Sequence, residues 1–150
     1  MTTPRHPLIN AIARVIGVVL ALTCGEAIAD IAIIVHPQNP LASLSEDDVR
    51  RIFMGRTRLF PGSGIGITAA DLTDTNPFFS DFYQALAHLT PDKLKRQRAS
   101  YLFSGNGRLP QVLENENAML EFVANTTSAI GYLPVEQIDN RVKTICVVKQ

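Results

Sequence analysis

The chain has few of the residues on which metal sites and disulfides depend. Its 150 residues include no Trp, three His and two Cys. His36 and His88 lie far apart in the sequence, and neither belongs to a recognisable metal-ligand pattern. No Gly-x-Ser-x-Gly elbow or other nucleophile motif is present. We therefore expect no metal site, no cofactor and no enzymatic activity.

Residues 1–29 have the three features of an export signal, which are a basic start, a short apolar stretch and small residues at a cleavage site. Arg5 is basic, residues 15–23 are apolar but too few to span a bilayer, and Ala27-Ile28-Ala29 supplies the small residues. We therefore expect a signal peptide over 1–29, a mature chain that begins near Asp30, and a periplasmic or secreted protein.

A lipoprotein is the main alternative to a cleaved and soluble product. Cys24 would be the acylated residue, but Thr23 is larger than the residue that usually precedes a lipoprotein cysteine. Cleavage near Ala29 is the first interpretation because the small residues there would otherwise have no purpose. An uncleaved membrane anchor is the third interpretation.

Residues 30–150 are long enough for one domain with its own core. Removal of Arg5, Arg14 and Glu26 leaves 12 basic and 13 acidic residues, a net charge of about −1. This balance gives no sign of a nucleic-acid or membrane-surface partner. Cys146 is then the only thiol, so no internal disulfide is expected.

Strands and helices alternate along this domain. Apolar runs between turn residues predict four strands, at 31–36, 65–70, 128–133 and 142–148. Capping residues and apolar stripes predict four helices: one between Ser45 and Gly55, one from Pro77, one from Thr90 and one over Pro110–Ala124. This order predicts an α/β fold in which helices flank a mixed sheet.

The sequence also predicts which helix faces are buried. The helix from Pro77 has an apolar stripe of Phe78, Phe79, Phe82, Tyr83 and Leu86. In the helix after Thr90, the side chains predicted to point inward are Leu94, Tyr101 and Leu102, and those predicted to point outward are Lys93, Lys95, Arg96 and Arg98. Residues 71–76 are predicted to be a loop.

Several short pieces, taken in order, resemble a known family. They are 44–55 with its Val-Arg-Arg-Ile-Phe-Met-Gly ending, the strand 65–68 that leads to the Phe78 helix, Gly105-Asn106-Gly107, and Ser128-Ala129-Ile130-Gly131-Tyr132. This arrangement resembles the second lobe of the periplasmic phosphate-binding proteins of ABC transporters. The resemblance implies one lobe of a type II periplasmic binding protein-like fold.

The resemblance also implies where a small anion would bind. In the family, an arginine and a Ser-Gly-Thr run at a helix start hold the oxyanion; here these fall at Ala70 and at Asp74-Thr75-Asn76, before Pro77. The carboxylate of Asp74 would either repel phosphate or cap the helix from within the chain. The candidate ligand residues are Thr73, Asp74, Thr75, Asn76, Gly105, Asn106, Gly107 and Arg108. The competing interpretation is that Thr75 or Asn76 is only a cap and Arg108 a solvated surface group.

Two functions follow as hypotheses. The first is an exported solute-binding-like domain with weak or altered binding of phosphate or another small anion, working with an ABC transporter. The second is a cell-envelope interaction module without a small-molecule ligand, whose partner is another envelope protein or a second copy of itself. The second hypothesis arises because the family's first lobe has no counterpart in this sequence.

Overall fold

The fold is described for residues 29–105 and 107–150 by a computed structural model. Residues 1–28, with most of the predicted signal peptide and Cys24, and also Asn106, lie outside this description. In the part of the chain that is described, no helix combines the length and the apolar character needed to cross a membrane.

The described residues contain one mixed sheet, as the sequence predicted, but it has five strands where four were expected. Its strands are β1 (Ile31–Val35), β2 (Thr68–Leu72), β3 (Gln111–Leu113), β4 (Ala129–Pro134) and β5 (Lys143–Val148). They lie in the order β3-β2-β4-β1-β5. Strand β2 is parallel to β3 and β4, whereas β1 is antiparallel to β4 and β5.

Within residues 29–105 and 107–150, four helices accompany the sheet, and they cover both of its faces. They are α1 (Glu46–Phe53), α2 (Pro77–Ala87), α3 (Pro91–Phe103) and α4 (Glu116–Asn125). A single 3₁₀ turn, Val135–Gln137, follows β4. Strand β1 is buried throughout, which explains its unbroken apolar sequence.

Two neighbouring residues of β4 show how the helices are divided between the faces. Consecutive side chains of a strand point to opposite faces. Tyr132 stacks on Phe82 of α2, with ring centroids 3.7 Å apart. Gly131 faces α4 so closely that a Cβ there would lie 2.5 Å from the sulfur of Met119 and 3.0 Å from Val123. Helix α2 therefore packs on one face and α4 on the other.

The local signals around α1 and α2 are confirmed. The Ser45 hydroxyl caps α1 by accepting from the Asp48 N–H at 3.1 Å. Gly55 follows α1 with a left-handed φ of 75°. The predicted stripe of α2 is buried along its whole length: Phe78, Phe79, Phe82, Tyr83 and Leu86.

The predicted second strand is shifted along the chain. The sequence predicts it at 65–70, but β2 begins at Thr68 and continues through Asp71 to Leu72. The reason is pairing: β4 binds β2 from Thr68 onward, and β3 extends the ladder to Leu72. Residues 65–67 instead form backbone hydrogen bonds with 58–60. Asp71 is therefore a strand residue and not part of a loop.

The predicted helix over Pro110–Ala124 is wrong in its first part. Residues 111–113 form β3, and α4 begins at Glu116 after the cap Asn115, whose side chain accepts from the Ala118 N–H at 2.9 Å. Pairing with β2 overrides the helical pattern here, and Val112 is 64% exposed.

The predicted faces of α3 also need correction, because Leu102 is 44% exposed and the Arg98 side chain points inward.

We expect Gly55→Ala to destabilise the protein more than Gly64→Ala. Both residues have a positive φ, so alanine costs about 1–2 kcal/mol at either position. At Gly55 the new Cβ would also lie 2.8 Å from the Arg108 carbonyl oxygen, whereas a Cβ at Gly64 meets nothing within 4 Å. Urea unfolding should show at least about 1 kcal/mol of additional loss for Gly55→Ala. Equal losses would contradict the packing described here.

Candidate functional site

The carboxyl ends of the parallel strands define the candidate site. Strands β2, β3 and β4 run in the same direction and end at one edge of the sheet. Ligands of open α/β sheets bind at such an edge. The segment Thr73–Asn76 lies there, between the end of β2 and the start of α2. Four of the eight predicted ligand residues are therefore together at the expected edge.

The first amide groups of α2 are already occupied. Pro77 has no N–H group, and the Phe78 N–H donates to the Asn76 side-chain oxygen at 2.9 Å. The Phe79 N–H donates to the Asn76 carbonyl at 3.1 Å. The start of a helix attracts anions through such unpaired amides. Here Asn76 satisfies them, as the capping interpretation of this residue predicted.

Asp74 does not cap the helix, in contrast to one of its two predicted roles. It lies two residues before Asn76, which has the extended backbone of an N-cap. The Asp74 carboxylate instead forms an ion pair of 2.7 Å with Lys95 of α3. The hydrogen bond from Lys95 lowers the pKa of Asp74, so this carboxylate stays negative near the helix start.

The two threonines and a second carboxylate complete the segment. The hydroxyls of Thr73 and Thr75 are 3.1 Å apart and hydrogen-bond to each other. The Thr73 N–H donates to the Leu113 carbonyl of β3 at 3.1 Å. The Asn76 amide donates to Glu116, the first residue of α4, at 3.2 Å. Polar groups of the segment are thus bound to one another and to the neighbouring elements.

Arg108, another of the predicted ligand residues, is at the opposite end of β2. Because Ala70 is paired with Gln111, Arg108 lies near the beginning of β2 and Thr73 follows its end. Five strand residues span roughly 16 Å. Arg108 lines a cleft of about 180 Å³ with Gly55 and Gln111, and this cleft includes none of Thr73–Asn76. Gly105 and Gly107 precede Arg108 in the chain, and Asn106 is outside the described residues. Arg108 therefore does not form one cluster with Thr73–Asn76.

A buried polar network lies directly beneath the segment. Asp71 of β2 is 1% exposed, and its two carboxylate oxygens accept from Tyr132 at 2.6 Å and from Tyr83 at 2.7 Å. Arg98 of α3 donates to the same carboxylate at 2.8 Å and also to the Tyr83 hydroxyl. The Leu72 N–H donates to the Tyr132 hydroxyl at 3.2 Å. A buried carboxylate is tolerated when it is hydrogen-bonded and paired in this way.

Sequence reasoning missed this network because its members were assigned separately. The sequence pattern predicts Asp71 in a loop and Arg98 on the solvated face of α3. A signal was present in Tyr83, because a tyrosine within a buried phenylalanine stripe needs a partner for its hydroxyl. No local pattern identified Asp71 as that partner, since the two residues meet only after α2 folds back onto the sheet.

We expect the protein to lose stability above about pH 10. Burial, and then the charge of Asp71, raises the pKa of both Tyr83 and Tyr132 well above its ordinary value. The unfolded chain therefore releases these protons first, so the stabilisation is complete below about pH 10 and falls as pH rises further.

Urea unfolding at pH 8, 10 and 11 would measure this loss. A Tyr83→Phe/Tyr132→Phe variant should have a much smaller pH slope than the wild type, whereas Tyr101→Phe, outside the network, should keep the wild-type slope. Wild-type stability that is constant from pH 8 to 11 would contradict the expectation.

Comparison with known proteins identifies the fold. No protein-family model matches the sequence, and neither does any curated protein. An ABC-type phosphate transport receptor from Vibrio cholerae matches with a TM-score of 0.63 and 17% identity, over 78% of this chain and 45% of the receptor. PstS from Borrelia burgdorferi matches with a TM-score of 0.61 and 14% identity, over 78% of this chain and 46% of PstS.

A protein from Clostridium perfringens solved with bound phosphate gives a TM-score of 0.64 and 18% identity, over 78% of this chain and 44% of that protein. The chain thus spans less than half the length of these structures. At such low identity the likeness concerns the fold alone. The fold is a helix-flanked mixed sheet consistent with one lobe of these binding proteins, as the sequence resemblance implied.

Proposed function

We propose that the protein is an exported solute-binding-like domain whose own affinity for phosphate is weak. The likeness to phosphate-binding proteins supports a related solute-binding role, and the predicted signal peptide supports export. The weak-binding part rests on the start of α2, where the donors are already used. The Asn76 side-chain oxygen accepts from the Phe78 N–H, and Pro77 has no N–H.

The charges around this helix start support the same proposal. Asp74 belongs to the segment Thr73–Asn76, and Glu116 of α4 contacts it. Both carboxylates disfavour the binding of a phosphate ion there. Lys95 is the cation in contact with the segment, and it is already paired with Asp74. The resemblance aligns the family's arginine with Ala70. This residue is fully buried, and its side chain has no hydrogen-bond donor.

The domain would then act as part of a larger system rather than as an independent high-affinity receptor. A small anion and an ABC transporter remain its proposed partners, because the structural neighbours are named as phosphate transport receptors. This chain spans less than half of those receptors, so the proposal covers one binding surface and not the whole receptor.

Isothermal titration with phosphate tests the proposal. The wild-type protein should show no binding tighter than about 1 µM. Asp74→Asn removes the nearest negative charge and releases Lys95, so it should strengthen binding by about three- to tenfold. Asp81→Asn, which removes an exposed carboxylate from the body of α2, is the matched control and should leave the affinity unchanged.

A wild-type Kd below about 1 µM at one site would contradict the weak-binding proposal. An Asp74→Asn variant that binds phosphate no better than Asp81→Asn would contradict the role given to Asp74.

A further inference from the structure

Three arginines surround one groove on a domain whose total charge is close to neutral. Arg50 and Arg51 of α1 and Arg56, just after it, line a groove of about 350 Å³ between α1, the α2–α3 turn and α3. Asp47 is the acidic residue that lines it, and it is paired with Arg50 at 2.5 Å. The groove therefore carries about two uncompensated positive charges.

Two of these guanidinium groups are held in place by the fold. Arg50 Nε donates to the Leu86 carbonyl at 2.9 Å, which ties α1 to the end of α2. The Arg56 guanidinium lies 5.3 Å from the centroid of the Tyr101 ring, at a cation–π distance. Arg51 is exposed beside them. Side chains that are already positioned lose less entropy when they bind a ligand.

The lining of the groove is partly apolar. Met54, Ala87 and Leu89 line it together with the arginines, and Gln97 of α3 adds an uncharged polar group. An arginine guanidinium can bind a carboxylate through two parallel hydrogen bonds. The groove therefore offers paired contacts for carboxylates next to a surface for an apolar side chain.

We propose that this groove binds an acidic segment of a partner protein, in which carboxylates alternate with an apolar side chain. The groove of about 350 Å³ is roughly ten times the 30 Å³ that one water molecule occupies in the liquid, so it has room for more than one side chain. A recessed and partly apolar groove also fits a chain segment better than the flat surface of a bilayer. The partner contact is separate from the start of α2, so it does not depend on phosphate binding.

Fluorescence anisotropy of the full chain with a labelled peptide of three Glu-Glu-Leu repeats tests the proposal. Arg51→Gln/Arg56→Gln should weaken binding about tenfold or more, and added salt should weaken wild-type binding. Lys93→Gln/Lys149→Gln removes the same charge outside the groove and should change the affinity less than about twofold. Gln97→Glu adds a repulsive charge while keeping every arginine, and it should also weaken binding. This variant tests the proposal even if the double arginine variant does not fold.

Three results would overturn the proposal. The first is equal weakening by the groove and control variants, which would indicate only delocalised attraction. The second is that inorganic phosphate binds, that its binding is lost in Arg51→Gln/Arg56→Gln, and that the peptide does not bind. The third is that vesicles of anionic lipid bind and lose binding in the same variant, again without peptide binding. Phosphate titration of Arg51→Gln/Arg56→Gln should match the wild type, which separates this site from the one proposed at α2.

Discussion

The structure depends on the hydrogen bonds and the ion pair that one buried carboxylate requires. Asp71 sits near the end of β2, where an unpaired charge would strongly destabilise the fold. Its partners come from three different elements: Tyr132 from β4, Tyr83 from α2 and Arg98 from α3. Meeting this requirement fixes two helices against the sheet at the edge where the parallel strands end.

This constraint also shapes the candidate site. With Asp71 and Leu72 held in β2, only four residues remain before α2 begins at Pro77. Asn76 caps the helix, and Asp74 reaches Lys95 on the same α3 that supplies Arg98. The donors at the helix start are therefore already used within the protein. The segment at which an anion site was predicted thus has few donors available for a ligand.

The sequence predicted those features that act within a few residues. The apolar run of β1, the Ser45 cap and the phenylalanine stripe of α2 are local patterns, and all were confirmed. Strand β3 and the inward direction of Arg98 depend on partners far along the chain, so helical periodicity gave the wrong answer for both. Of the loop predicted over 71–76, residues 73–76 are confirmed, whereas 71 and 72 belong to β2. Local patterns could not decide which of the neighbouring polar residues caps α2 and which forms the ion pair with Lys95.

The most direct measurement of the central claim is a double-mutant cycle between Asp71→Asn and Arg98→Met, followed by urea unfolding. Arg98→Met leaves the Asp71 charge buried without its cation and should cost about 3–5 kcal/mol. The double variant should lose at least about 2 kcal/mol less than the sum of the single losses. Losses that add to within about 0.5 kcal/mol would contradict the account.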